Sequence, residues 1–303
     1  MREMTPNILI ITTDQQRFDA LSLHGTPGYS TPHLDALASE GVLFNRAYCP
    51  APVCTPARVS LLTGQYPSRH GAFQIGMEAV PALAGPTLGA LFSKLGYATA
   101  CIGKTHFVAR PLEDAHIAGQ HEPAPDFWRR FDGPYVGFEF LRHNPGHNCN
   151  RPPDGHYRRW LEERGRDIDK YHWTADHPRA GGTAVSCGKW DIPAEDHATA
   201  WVALEFSDWL DRIGKQQRPW LAMVNIADPH APYVCPDPWF SNVDLHGVVP
   251  HTMSPGEFAD KPPFYRSFRE DGRYIDEHGK DLADDHRIAS VFEDSFVEDR
   301  MLA

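Results

Sequence analysis

Short apolar runs alternate with amphipathic stretches along the first third of the chain. Asn7–Thr13 is an apolar, β-branched run ending in polar residues, which is typical of a central strand buried on both faces. Thr31–Gly41 carries a capping residue, a proline and a closing glycine, the signals of a helix. Val42–Phe44 predicts a short strand, Thr87–Leu95 a helix and Ala98–Gly103 a further strand. This alternation predicts an α/β fold with a mostly parallel central sheet and helices on both faces.

The alternation returns in the second half of the chain after a long irregular stretch. A helix is predicted to open at Pro193–His197 and to continue to Leu210, and Trp220–Ile226 is the next apolar strand. Residues 109–190 are rich in Pro, Gly, His, Arg and Trp and lack a sustained period, which favours ordered insertions over a second core. We therefore expect one domain over residues 1–303 with a loop-rich insertion at about 109–190.

Composition and charge narrow the classes of partner. The 303 residues are 41% hydrophobic and 23% charged, enough for a large core and without a disorder signature. A net charge of -11 argues against nucleic acid and against an anionic membrane surface. No window approaches ~20 uninterrupted apolar residues, and the first apolar run is too short for a signal peptide. We expect a cytoplasmic protein.

The run from Pro52 to Gly64, PVCTPARVSLLTG, carries the most specific chemical pattern. It sets Cys54, Pro56 and Arg58 in the spacing C-x-P-x-R, at the start of a helix expected from Arg58 onward. A helix start and a guanidinium one turn away together favour an anion at this position.

This run resembles the signature of the type I sulfatases, which belong to the alkaline-phosphatase-like superfamily. The resemblance implies that a formylglycine-generating maturase oxidises Cys54 to formylglycine, an aldehyde whose hydrate is the catalytic nucleophile. It also implies that Arg58 holds that hydrate. Such a nucleophile becomes competent near neutral pH when one of its hydroxyls also binds a metal ion.

Two further segments resemble the same family, each after an apolar strand. They read GKTHF at Gly103–Phe107 and DPHAPY at Asp228–Tyr233. Taken alone, a Lys or His at a strand end usually faces solvent. The resemblance implies that Lys104 binds the oxygens of the transferred group and that His106 orients the formylglycine hydroxyl. It also implies that His230 contacts the substrate's bridging oxygen or its anionic group.

Asp14 and Gln15 follow the first strand, where open α/β sheets place their ligand sites. Carboxylate and amide oxygens suit a hard divalent cation. The resemblance implies a metal site that includes Asp14, Gln15 and Cys54, with Ca²⁺ as the leading expectation and Mg²⁺ or Mn²⁺ as alternatives.

Sulfatase-like chains also carry a later apolar strand that ends in Asp-Asn or Asp-His and completes the metal site. The candidate pairs at 176–177 and 285–286 do not follow such a strand. We therefore expect the resemblance to cover the first part of a family member, with the fold truncated at its C-terminus.

The leading hypothesis is a sulfuric ester hydrolase that acts on a small anionic ester. A phosphonate monoester or phosphodiester hydrolase of the same fold is the alternative, because Gln15 and Ala57 stand where many sulfatases have Asp and Ser. A non-catalytic chain that only binds an anion is a third hypothesis, motivated by the missing metal ligands. A cysteine-nucleophile hydrolase is weaker, since no His or Asp is tied to Cys54 by spacing.

Overall fold

The computed structural model describes residues 5–26, 28–75, 85–107, 127–144, 152–172, 187–242 and 260. The two candidate pairs at 176–177 and 285–286 lie outside these residues. The described strands are β1 (Ile8–Thr12), β2 (Ala98–Lys104), β3 (Phe140–Asn144), β4 (Cys187–Lys189), β5 (Trp220–Asn225) and β6 (Tyr233–Cys235). The described helices are α1 (Pro32–Glu40), α2 (Cys54–Thr63), α3 (Pro67–His70), α4 (Leu88–Lys94), α5 (Phe127–Arg130), α6 (Gly155–Glu163) and α7 (Ala198–Gly214).

Four strands form one parallel sheet in the order β1-β5-β2-β3. Met223 of β5 lies between Ile10 of β1 and Cys101 of β2 in the register. Strands β4 and β6 form a separate two-stranded parallel ribbon. The predicted α/β fold with a mostly parallel sheet is confirmed.

The central strands β2 and β5 are buried on both faces because successive side chains point to opposite sides of the sheet. Ala100, Ile102 and Ala222 face one layer, where they meet aromatic side chains such as Trp201 of α7. Met223 and its neighbours on the other face pack against α2 and the 135–141 segment. The core therefore has one apolar layer on each face, as a parallel sheet requires.

Because these strands are parallel, β1, β2 and β5 end at the same edge of the sheet. Gly103 (φ 95°) lies at this edge, and a Cβ there would come within 2.0 Å of the Asn225 carbonyl oxygen. Only glycine allows β2 to approach β5 this closely in that conformation. The contact brings the segment after β2 next to the segment after β5.

Two predicted strands differ from the structure. Among the described strands, β1 lies at an edge of the sheet instead of its centre, and Leu9 and Ile11 are 41% and 56% exposed. A continuous apolar run does not reveal how many strands flank it, and the central position of this strand stays a prediction. Val42–Phe44 forms no strand, and Phe44 is 75% exposed. It finds no pairing partner among the described strands.

The helices follow the predicted signals more closely. α1 lies between Thr31 and Gly41, and Thr87 caps α4 by accepting a hydrogen bond from the Ala90 amide at 3.2 Å. The predicted opening at Pro193–His197 is a short 3₁₀ turn, and α7 begins after it. No described helix is both long and apolar enough to cross a membrane.

The irregular stretch at about 109–190 contributes regular elements in its described parts. β3 pairs with β2, and α6 packs against β3. Buried side chains of α6, such as Tyr157 and Leu161, join the same apolar layer as β2 and β5. These described parts pack against the main core and are less loop-like than expected. The division into one domain with an insertion stays a prediction.

Candidate active site

Cys54 is the first residue of α2, four residues earlier than the helix start expected at Arg58. Val53 before it is extended, and Gly64 ends the helix with a left-handed backbone (φ 66°). The thiol therefore sits at the end of the helix where free amide groups point outward and the helix dipole is positive. This end of α2 favours negative charge.

Two predicted site residues, Lys104 and Arg58, meet at the carboxylate of a third, Asp14. Lys104 Nζ forms a close ion pair with Asp14 Oδ2, and Arg58 Nη2 lies 3.3 Å from the same oxygen. Arg58 also donates from Nη1 to the Lys104 carbonyl at 3.0 Å, so the guanidinium joins α2 to the end of β2. Lys104 is fully buried, and Arg58 is nearly so. Two buried cations thus share one carboxylate, which leaves a local excess of one positive charge.

The pKa values of Asp14 and Lys104 are set by two opposing effects, burial and the charge of their ion-pair partners. Burial acts to raise the pKa of Asp14, but Lys104 and Arg58 outweigh it and the pKa lies below its ordinary value. Burial lowers the pKa of Lys104, and Asp14 only partly offsets it. An anion bound beside Lys104 would stabilise its charged form.

The Cys54 thiol contacts both partners of this ion pair. Its Sγ lies 3.7 Å from Asp14 Oδ2 and 3.8 Å from Lys104 Nζ. Burial raises the pKa of Cys54, and Lys104 only partly counters that effect. A thiol with a raised pKa is a poor thiolate nucleophile. The buried surroundings of the thiol therefore give no support to the hypothesis of a cysteine nucleophile.

His106 follows β2 and His230 follows β5, and both histidines lie near the charges of Asp14, Arg58 and Lys104. Burial and then the charge of Lys104 lower the pKa of His106 to about 3. Burial also lowers the pKa of His230, with Lys104 next in effect. His230 Nδ1 donates to the Ala231 carbonyl at 2.6 Å, so Nε2 carries the lone pair of the neutral ring. His230 needs a proton on Nε2 before it can donate one to a leaving group.

The donor set for a divalent cation is incomplete among the described residues. Gln15 is exposed and has a left-handed backbone (φ 59°) directly after Asp14. No group of three or more His, Cys, Asp or Glu side chains in the described part of the chain is placed to hold a metal ion. Ca²⁺ prefers six to eight oxygen ligands, and the Asp14 carboxylate already faces two cationic side chains. The described residues supply part of a cation site at most.

Several contacts that fix the site had no signal in the sequence analysis. The Asp14 amide donates to the Asp228 carbonyl at 3.2 Å, which ties the end of β1 to the turn that carries His230. The Asp228 carboxylate in turn forms a close hydrogen bond with Thr199 Oγ1 at the start of α7. The sequence assigned no role to Asp228, the first residue of the DPHAPY segment. Only the three-dimensional proximity of these strand ends reveals one.

His70, the last residue of α3, has a structural role. It is buried, with Nε2 2.9 Å from Ser60 Oγ of α2 and Nδ1 accepting from the Ala72 amide at 3.2 Å. These bonds anchor α2 to the segment after α3.

Comparison with known proteins gives a consistent picture. Residues 6–244 match the family model described as Sulfatase. Over 261 residues the chain is 32% identical to an arylsulfatase of Clostridium perfringens, which covers 85% of this chain and 50% of that protein. The chain therefore spans about half the length of this curated relative.

Two solved structures share the fold. A phosphonate monoester hydrolase of Agrobacterium radiobacter is 28% identical, with a TM-score of 0.58 over 78% of this chain and 44% of that one. A phosphonate monoester hydrolase from Silicibacter pomeroyi, 22% identical, has a TM-score of 0.61 over 98% of this chain and 57% of that one. At that identity, the second likeness shows a shared fold alone.

Proposed function

The chain belongs to the sulfatase family, and we propose that it hydrolyses a sulfuric ester of a small anionic substrate. One observation carries the proposal: Lys104 and Arg58 are both buried beside Cys54, and both pair with the carboxylate of Asp14. An acidic protein that binds an anion must concentrate positive charge locally, and this site does so. The arylsulfatase relative supports a sulfate ester as the substrate.

The side chains of this chain would act mainly by binding and orientation. Lys104 would contact the oxygens of the transferred group, and the N-terminal end of α2 would add its dipole. Arg58 would hold the group at position 54 through its place between Asp14 and the Lys104 carbonyl. Neutral His106 would orient a hydroxyl at position 54, and His230 would face the bridging oxygen of the substrate.

The modification of Cys54 by a maturase is part of the proposal, since formylglycine supplies a nucleophilic oxygen that the thiol lacks. Asp14 and Gln15 would contribute oxygen ligands to a divalent cation, with Ca²⁺ as the first candidate. The described residues account for only part of the coordination of such an ion. The cytoplasmic location stays a prediction.

A second candidate is hydrolysis of a phosphonate monoester or phosphodiester. The Agrobacterium radiobacter structure, at 28% identity, is a phosphonate monoester hydrolase, which favours this alternative. Gln15 and Ala57 are also compatible with it. Lys104, Arg58 and the end of α2 would bind a phosphonyl group as readily as a sulfuryl group.

The test uses the full chain, coexpressed with a formylglycine-generating maturase and assayed with added Ca²⁺. Turnover is measured on 4-nitrophenyl sulfate, a phosphonate monoester and a phosphodiester, and mass spectrometry examines the Cys54 peptide. Cys54→Ala is the inactive variant, and Cys49→Ala is the matched control because Cys49 is an exposed free thiol. We expect sulfate turnover that Cys54→Ala abolishes and Cys49→Ala retains.

Each other outcome selects a different hypothesis. Dominant turnover of the phosphonate or phosphodiester would replace the sulfatase proposal with the second candidate. An unmodified Cys54 with no turnover, together with sulfate binding by calorimetry, would favour the anion-binding chain. Turnover by Cys54→Ala equal to that of the unaltered chain would reject position 54 as the nucleophile.

A further inference from the structure

His106 has a backbone conformation that side-chain-bearing residues rarely adopt. Its φ is 48°, in the left-handed region that favours glycine. It lies two residues after the end of β2, between Thr105 and Phe107, which are both fully buried. A strained backbone of this kind persists only where the surrounding structure holds it, and it is common at functional sites. The contacts that hold this corner therefore also determine where the imidazole lies.

One of these contacts comes from the helix that begins with Cys54. Thr55 Oγ1 donates a hydrogen bond to the His106 carbonyl at 3.1 Å, across 51 residues of sequence. Thr55 is fully buried, so no water competes for its hydroxyl. The bond joins the residue after Cys54 to the strained residue itself. It thereby links the start of α2 to the backbone of His106.

The opposite side of the corner is held by β3. The Thr105 amide donates to the Asn144 carbonyl at 3.2 Å, and Thr105 Oγ1 lies 2.9 Å from His143 Nδ1. The His143 amide in turn donates to His156 Nδ1 at 2.9 Å. Thr105 is thus fixed from β3, while Thr55 fixes His106 from α2. Loss of the Thr55 contact would remove the support that this corner receives from α2.

A threonine hydroxyl in a helix often bonds to a carbonyl of its own helix. Thr63, at the far end of α2, does so by donating to the Val59 carbonyl at 2.7 Å. Thr55 instead reaches another element. We propose that Thr55 is a positioning residue, whose hydroxyl sets the backbone of His106 and so the place of its imidazole relative to Cys54. The effect on catalysis rests on the proposed function, whereas the positioning of His106 does not.

The test compares three variants of the full chain with the unaltered protein. Thr55→Val keeps the shape of the side chain but cannot donate, and Thr55→Ser restores the hydroxyl. Thr63→Val is the matched control because it removes a similar hydrogen bond from the same helix. The readout is the imidazole NMR signals of His106, which are identified by their loss in His106→Gln. If Thr55→Val does not fold, Thr55→Ala takes its place.

We expect the His106 signals to move in Thr55→Val and to keep their positions in Thr55→Ser and Thr63→Val. Where the chain turns over an ester, kcat/KM should fall about tenfold in Thr55→Val, in line with the loss of one buried hydrogen bond. Thr55→Ser should recover most of that activity. The proposal is overturned if the His106 signals of Thr55→Val match those of the unaltered chain, or if Thr63→Val moves them equally.

The two readouts separate this inference from the proposed function. Absence of turnover in the unaltered chain would count against the proposed function, while the His106 signals would still decide the role of Thr55. A fall in turnover with unmoved His106 signals would reject the positioning role and leave the hydrolase proposal intact.

Discussion

The buried imidazole of His156 should make the folded chain sensitive to acid. Its Nε2 lies 2.7 Å from the Phe131 carbonyl, to which it donates, and its Nδ1 accepts from the His143 amide. The second bond requires the neutral ring, because a proton on Nδ1 would face the His143 N–H donor. Burial first, and then the charge of Arg142, lower the pKa of His156 to about 3. The folded chain therefore resists this protonation far below neutral pH.

The size of this acid sensitivity follows from the difference between the pKa of His156 in the unfolded chain and its pKa in the folded chain. The unfolded chain binds this proton near pH 6.5, whereas folded His156 does not bind it until about pH 3. Between these values the unfolded state holds more protons, so the free energy of unfolding falls as the pH falls. At pH 5 the loss from His156 alone is about 2 kcal/mol relative to neutral pH. Above pH 6.5 the imidazole is neutral in both states, and this contribution is constant.

Urea unfolding at pH 7.5 and pH 5 measures this contribution. His156→Gln removes the titrating ring, so it should be less stable than the unaltered chain at pH 7.5 but lose about 2 kcal/mol less between the two pH values. His33→Gln is the control, because His33 lies exposed on α1. The free energy of unfolding of His33→Gln should fall between pH 7.5 and pH 5 by as much as that of the unaltered chain. Equal losses in His156→Gln and the unaltered chain would refute the reasoning.

The remaining predictions concern packing and charge, and urea unfolding at neutral pH checks each. Gly103→Ala should abolish the folded state, because its Cβ would lie 2.0 Å from the Asn225 carbonyl oxygen in a strained conformation; a normal unfolding transition would contradict this. Asp14→Asn should lower the free energy of unfolding by about 3 kcal/mol by leaving Lys104 without its carboxylate, and a gain in stability would show that the ion pair is not stabilising. Trp201→Ala should cost about 3–5 kcal/mol because the indole is fully buried, and a cost below about 1 kcal/mol would show that the core relaxes to fill the space.

The parts of the fold that the sequence predicted well are those with local signals. The cap at Thr87, the proline and glycine that flank α1, and the apolar runs of β2 and β5 each encode their own element. Position within the sheet is a different property, because it depends on strands far apart in sequence. The apolar run of β1 read as central and yet lies at an edge of the described sheet, since hydrophobicity alone does not specify neighbours.

The candidate site divides in the same way. The spacing of Cys54 and Arg58 within one helical turn predicted their proximity, and Lys104 joined them because parallel strands end at one edge. The hydroxyl of Thr55 and the carbonyl of Asp228 could not be predicted, because their partners lie on other elements. Motifs identify the groups that carry the chemistry, whereas long-range hydrogen bonds determine how those groups are held.

The site concentrates buried positive charge in a chain that is acidic as a whole. Lys104 and Arg58 are removed from water while the chain as a whole carries a net charge of -11. Burial lowers the pKa of Lys104, and the nearby charge of Arg58 adds to that effect, so the burial of two cations beside one carboxylate is unfavourable. A fold selected for stability alone would gain by replacing one of these cations with an apolar side chain. A further negative charge that enters the site would stabilise both cations. The charge imbalance is therefore itself an argument that this edge of the sheet binds an anion.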